Sequence, residues 1–354
     1  MSDDQEVLFE EIAGQGGHLG VITLNRPQIL NSLNQTMIHA MYAQLNKWAI
    51  APDIKAVVIR AAPGRAFCAG GDLRFTYERF KNKDPLLSTF FRDEYQLNRL
   101  IYHFPKPYIA LLDGITMGGG VGISIHGSHR VATDHLLFAM PETSIGFFPD
   151  VGGTHFLPRL PGKIGFYLGL MGTKLTSDDC VAIHIATQKI AQEAIPDLIQ
   201  SLAQHAFSHD AKASVTELIN PFTVPSNRFS FIKHQAEIDQ CFSGHTVEDI
   251  VYALQHSSNE LCRDTASAIA KKSPTSLKVT LRAMQQGLSL HFDDCMRQEY
   301  RMVCRFLKAH DFFEGIRAII IDKDQAPQWL PSTIATVSDY EVEQYFVPLV
   351  EELV

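Results

Sequence analysis

Residues 114–124 read GITMGGGVGIS, placing Gly118, Gly119 and Gly120 in a row at the end of the apolar run YIALLDGI (108–115). An apolar run of this length, closed by glycines, reads as a buried strand that turns into a helix. Glycines at a helix start expose N–H donors with no side chain in the way, and the helix dipole adds positive potential there. The G-x-G-x-x-G spacing of a dinucleotide loop is absent, so the turn suits a developing oxyanion better than a pyrophosphate. Close helix–strand packing would use the same three glycines.

Working outward, a second turn of this kind lies at RAFCAGGD (65–72), after the β-branched run AVVIRAA (56–62). Two glycine turns matter more than one, because an oxyanion hole needs two converging donors. A third segment, AMPETSIGFFPDVGG (139–153), carries two carboxylates, Glu142 and Asp150, among Phe138, Met140, Ile145, Phe147 and Phe148. Apolar surroundings raise a carboxyl pKa and fit it for acid–base or nucleophilic work, although most acids in a sequence are simply solvated. Pro141 and Pro149 stiffen the backbone before each acid.

Around these segments the chain alternates strand and helix patterns. VLFEEI (7–12) and GVITLN (20–25) flank the turn GQGGH, and HRVATDHLLFAMPE (129–142) contains two further short strands. In MIHAMYAQLNKWAI (37–50), Met37, Met41, Leu45 and Trp48 share a helical face. This alternation predicts an α/β architecture over 1–205. The segments 247–255, 258–272, 274–288 and 293–310 predict a helical region over 206–354, and the polar, Pro-interrupted stretch 209–240 reads as an insertion or linker.

The 354 residues are 45% hydrophobic with a formal net charge of −8, which argues against a general nucleic-acid or membrane-surface binder. No run approaches a membrane span. The six cysteines (68, 180, 241, 262, 295, 304) have no C-x-x-C spacing and read as free thiols of a reducing compartment. No metal motif, Walker loop or G-x-S-x-G elbow is present. The acidic start MSDDQEVLFEEI lacks the marks of a leader, so a cytoplasmic location is the default expectation.

Taken together, the segments resemble the crotonase, or enoyl-CoA hydratase/isomerase, superfamily. The resemblance runs through ITLNRP (22–27), LNSL (30–33), the Gly70–Gly71–Asp72 turn, the Gly118–Gly120 turn and Pro141–Glu142. It implies a spiral of ββα units forming two roughly perpendicular sheets, followed by helices. It implies an acyl-CoA-binding core whose thioester oxygen is held by the amides of Gly71 and Gly119. FCAGGD (67–72), FFRDEYQLN (90–98), the 114–122 and 138–153 segments and HDFFEGIRA (310–318) are similar to the 3-hydroxyisobutyryl-CoA hydrolase branch. That branch implies substrate contacts by Glu94, Gly119, Glu142 and Asp150, and a place in valine catabolism.

One position separates reactions within the superfamily. Hydratases pair the glutamate matching Glu142 with a second one just after the glycine triplet, where this chain has Gly122. A glycine has no proton to shuttle. The expected activity is therefore hydrolysis of a short-chain acyl-CoA thioester, 3-hydroxyisobutyryl-CoA first. The catalytic set would be Glu142, Asp150, Gly71 and Gly119, with Glu142 as nucleophile or general base. Asp150 would orient the substrate hydroxyl, position water or exchange a proton with the thiolate. No cofactor is expected beyond the CoA of the substrate, and homo-oligomerisation is open. Lys271 and Lys272 are candidates for the CoA phosphates. The rival readings are an enoyl-CoA hydratase/isomerase and a non-catalytic acyl-CoA-binding protein.

Overall fold

The structure, a computed structural model, describes residues 5–207, 210–229 and 231–353. Residues 1–4, on which part of the leader reading rests, lie outside them. Strands β1 (Val7–Gly14), β2 (Gly17–Leu24), β3 (Ile54–Ala61), β4 (Ala66–Cys68), β5 (Tyr108–Leu112), β6 (Ile115–Met117), β7 (His129–Ala132), β8 (Leu137–Ala139), β9 (Leu175–Thr176) and β10 (Gln188–Lys189) form two sheets. The larger has the order β1-β2-β3-β5-β7-β10 and the smaller β4-β6-β8-β9. β1 and β2 make an antiparallel hairpin about the glycine turn at 14–17, while β2, β3, β5 and β7 pair in parallel.

Successive strands alternate between the sheets: β3, β5 and β7 enter the large one, and β4, β6 and β8 follow each of them into the small one. This repeat is the spiral. The short strands β4 and β6 escape recognition in the sequence because three residues are too few to show a period. Each glycine turn therefore follows a short strand of the small sheet, rather than the long apolar strand of the large one.

Two compact units interleave along the chain. One comprises Met1–Gly71, Gln96–Phe138 and Lys174–Ile232, and the other Asp72–Tyr95, Ala139–Thr173 and Lys233–Val354. Residues 1–205 and 206–354 each contribute to both. In the first unit, Leu19, Val21, Ala56, Val58, Ile109, Leu111 and Val131 from the large sheet share a core with Leu198 and Leu202. The supposed linker contributes to this core. Asp210 caps a helix, Ala211–Ile219, by accepting from Ala213 N, and Val215 and Ile219, four residues apart, are buried in the same cluster. The second unit is helical, with Val247–Gln255, Glu260–Ile269, Pro274–Gly287 and Phe292–Phe306 matching the sequence periodicity. Among the described residues no helix is long and apolar enough to cross a membrane.

Gly120 shows how tightly the spiral is wound. A Cβ built there would lie 2.2 Å from the Cys68 carbonyl oxygen and 2.8 Å from Cys68 Cβ. Both obstacles belong to β4, so they cannot swing aside. We expect Gly120→Ala to cost at least ~1–3 kcal/mol, read as a lower denaturation midpoint. Gly64→Ala, whose Cβ would meet first Pro27 Cβ at 3.2 Å, should cost clearly less. Equal midpoints for the two variants would contradict this packing.

Candidate active site

In the first unit, β4 and β6 lie side by side in parallel, Ala66 opposite Ile115 and Cys68 opposite Thr116. Parallel neighbours release their chains at the same end, so the two glycine turns emerge together. A Cβ built on Gly70, whose φ is +106°, would lie 3.3 Å from Met117 O and 3.6 Å from Gly119 N. A side chain at 70 would therefore reach the second turn, at a position where φ and space both favour glycine.

Neither predicted donor is spent in a ladder. Where Leu33 bridges Gly71, the hydrogen bond runs from Leu33 N to Gly70 O at 2.8 Å. Among the described residues, the Gly71 and Gly119 amides donate to no protein acceptor. Gly119 opens a helix, as expected, but that helix is the single turn Gly119–Gly122. Its contribution is therefore the local unpaired N–H rather than a long macrodipole.

The three predicted acids all belong to the second unit. Glu142 begins a 3-10 turn, Glu142–Ile145, that ends on left-handed Gly146. Glu94 lies on the helix Thr89–Tyr102, and Asp150 ends the Phe147–Phe148–Pro149 run. Glu94, Glu142 and Asp150 are 2%, 6% and 5% exposed. Aromatic rings close this unit around them: Phe147 stacks on Phe312 at 4.4 Å and lies 5.8 Å from Phe91, and Phe148 meets Phe306 at 5.3 Å.

Burial holds the Asp150 carboxyl up at about 7, against a hydrogen bond from Tyr95 Oη at 2.8 Å that pulls the other way. Burial, and then the charge of Asp150, push Glu142 and Glu94 well above the usual carboxylate range. Glu94 Oε1 and Glu142 Oε2 are buried atoms with no hydrogen-bond partner among the described residues. Unsatisfied acceptors of this kind are rare in a finished core and common where a ligand completes the bonding.

Two participants were missed by the sequence reading. Tyr95, fully buried, follows Glu94 and holds Asp150. Glu299, on the helix Phe292–Phe306, accepts from Gly152 N at 2.8 Å, Thr154 N at 3.0 Å and Thr154 Oγ1 at 2.6 Å. Its signal was available: Cys295, Glu299, Met302, Val303 and Phe306 fall on one helical face, and the other four are apolar. Lys272 does not behave as a phosphate ligand. It turns inward to Ser144 Oγ and the Met171 carbonyl at 3.0 Å, and burial lowers its ammonium to about 8.

The sequence profile described as Enoyl-CoA hydratase/isomerase matches residues 19–346. The chain is 44% identical to a Homo sapiens protein named 3-hydroxyisobutyryl-CoA hydrolase, mitochondrial, over 99% of this chain and 91% of that one. The Gallus gallus protein of the same name is 42% identical, over 95% and 88% of the two chains. Among solved structures, a carnitinyl-CoA dehydratase from Mycobacterium thermoresistibile has a TM-score of 0.90 at 37% identity, covering 99% of each chain. An enoyl-CoA hydratase from Rhodobacter sphaeroides 2.4.1 has a TM-score of 0.85 at 34% identity, covering 98% of each. The crotonase-type α/β spiral with its helical region is thus shared with these enzymes. The relatives' mitochondrial names overturn the cytoplasmic default, which rested on the acidic start of the chain, the lack of a long apolar run and the free cysteines.

The buried acids make stability depend on pH in a stated direction. An unfolded Asp150 gives up its proton near 3.8, whereas the folded one keeps it to about 7. Folding therefore takes up a proton between those values. The contribution of this group to stability is complete below 3.8 and is lost as pH rises through 7. Asn at 150 cannot ionise and can still accept from Tyr95. The stability of Asp150→Asn relative to the parent should rise steadily from pH 4.5 to 7.5 in chemical denaturation. A constant difference across that range would show that Asp150 is not held protonated by burial.

Proposed function

We propose that this chain, which belongs to the enoyl-CoA hydratase/isomerase family, hydrolyses short-chain acyl-CoA thioesters, with 3-hydroxyisobutyryl-CoA as its substrate and valine catabolism as its setting. The observation that carries this reading is the division of acidic groups. Glu142 and Asp150 are buried with raised proton affinity in one unit, while the glycine turn, where a hydratase would need its second acid, offers only Gly122. Names point the same way in sequence comparison and differ in structural comparison, where hydratase and dehydratase are the printed activities. The fold is common to all of them, so the acids decide.

In the proposed reaction the Gly71 and Gly119 amides hold the thioester oxygen as it takes on negative charge; one such donor is typically worth about 3–4 kcal/mol of barrier. Glu142 supplies the attacking oxygen, its own to give a mixed anhydride or that of a water it deprotonates. A C–O bond forms, the C–S bond breaks, and the departing thiolate takes a proton. Asp150 near 7 is matched to such an exchange at neutral pH. Glu94, with one buried oxygen unpartnered, contacts the acyl group. Retained acids and unspent amides speak for catalysis rather than mere acyl-CoA binding.

Purified protein should release thiol from 3-hydroxyisobutyryl-CoA far faster than it hydrates crotonyl-CoA. Glu142→Gln keeps the shape of the side chain but loses its basicity and nucleophilicity. It should lower thiol release by roughly a hundredfold or more while CoA-ester binding persists. Rapid hydration of crotonyl-CoA with no thiol release would transfer the chain to the hydratase reading, and near-normal turnover by Glu142→Gln would remove the mechanism.

A further inference from the structure

Immediately after Asp150 the backbone takes an expensive path. Val151 has φ +50° and Gly152 has φ +88°, before the short helix Gly153–Phe156 begins. Left-handed geometry is natural for the glycine but uncommon for a β-branched valine, and it persists only where the surroundings impose it. Gly153 N closes the turn onto Asp150 O at 2.7 Å. A further restraint comes from Glu299, which is 0% exposed and lies far along the chain. Its Oε2 accepts from Gly152 N, and its Oε1 accepts from both Thr154 N and Thr154 Oγ1.

We propose that Glu299 is a positioning residue for the reaction: its carboxyl group, accepting on both oxygens, clamps the 150–154 turn and thereby fixes where Asp150 presents its own. The inference rests on the assignment of Asp150 to catalysis, and it adds a function for an acid that takes no part in the chemistry itself. Three donors on one carboxylate leave little alternative use for it. All three belong to the turn that starts at Asp150, and each satisfies a group that a short helix start would otherwise leave unpaired. A carboxylate is the one side chain here that can accept on both oxygens from donors alone. Glutamine would point its NH2 at a donor, whichever way it is flipped. Tyr95 grips the other end of the same residue, donating to Asp150 Oδ2. The Asp150 side chain is thus held at its tip by a phenol, and the turn that follows it is held by an acid at Gly152 and Thr154. The charges of Asp150 and Glu299 also oppose each other, which, after burial, helps to raise Glu299 to about 8 while its three hydrogen bonds lower it.

The test compares Glu299→Gln, Asp150→Asn and the double variant in thiol release from 3-hydroxyisobutyryl-CoA, with Thr154→Val and Thr154→Ser beside them. Glu299→Gln should lower kcat at least tenfold with KM within about threefold of the parent. Added to Asp150→Asn it should slow the reaction no further, because the group it positions is already gone. Thr154→Val, which removes one donor and keeps the volume, should lose kcat in the same sense, and Thr154→Ser should recover it. The threonine pair decides the matter if Glu299→Gln does not fold. Normal kcat in Glu299→Gln, or losses that multiply in the double variant, would overturn the clamp and leave the role of Asp150 standing. Normal turnover by Asp150→Asn would overturn both.

Discussion

Keeping four carboxyl groups out of water is the constraint to which the rest of this molecule answers. Glu94, Glu142, Asp150 and Glu299 all lie buried in one compact unit, and an ion without partners there costs several kcal/mol. The surrounding atoms treat the four differently. Glu299 has three donors that oppose burial, and burial still raises it to about 8. Asp150 has one phenol and stays near the boundary between its two forms at neutral pH. Glu94 and Glu142 each keep an oxygen with no partner, and both hold their protons far more tightly than a solvated acid. Four acids of nearly the same intrinsic strength thus acquire different proton affinities from their neighbours alone, which is the requirement for acid and base work by one residue type.

The glycine turns solve a separate problem in the other unit, where backbone donors have to stay unpaired without an open, wet loop. Strands of three residues suffice because β4 and β6 pair with each other, and Gly70 leaves free the space beside the second turn that a side chain would fill. Any side chain on Gly120 would push β4 away and separate the turns. The spiral therefore does more than form a core: its strict repeat brings two sequence-distant amides, Gly71 and Gly119, to the ends of neighbouring strands.

Much of this was legible in the chain, for identifiable reasons. Long strands and long helices announce themselves by period, so the large sheet and the helices 247–255 and 274–287 could be read directly. Glu142 and Asp150 stood out because acids rarely follow proline among aromatic residues. The glycine turns were visible, but the strands preceding them were not. The helix Ala211–Ile219 was hidden by polar surroundings, since it brings only a short apolar face to the core: Val215 and Ile219 buried, with Leu218 packed against the cluster. Nothing in the sequence ties Tyr95 to Asp150, fifty-five residues away, and only the fold brings the two together. Glu299 does not stand out in the sequence, because a glutamate on a helix is usually a solvated charge, although its helical neighbours on that face are apolar.

The choice of reaction follows from where protons can be stored. Adding water across a carbon–carbon double bond needs two groups that give and take protons beside the same two carbons. In this chain Gly118–Gly122 is a turn of glycine and valine with nothing to titrate. Hydrolysis of a thioester makes a different demand: an oxyanion must be tolerated, an oxygen made nucleophilic, and a thiolate quenched. Unspent backbone amides meet the first demand without any titrating group. An acid that burial has made reluctant to ionise is, once ionised, a stronger base than a solvated one, which is what the other two demands require. The absence of an acid at 122 therefore bears on hydration and leaves the demands of hydrolysis untouched.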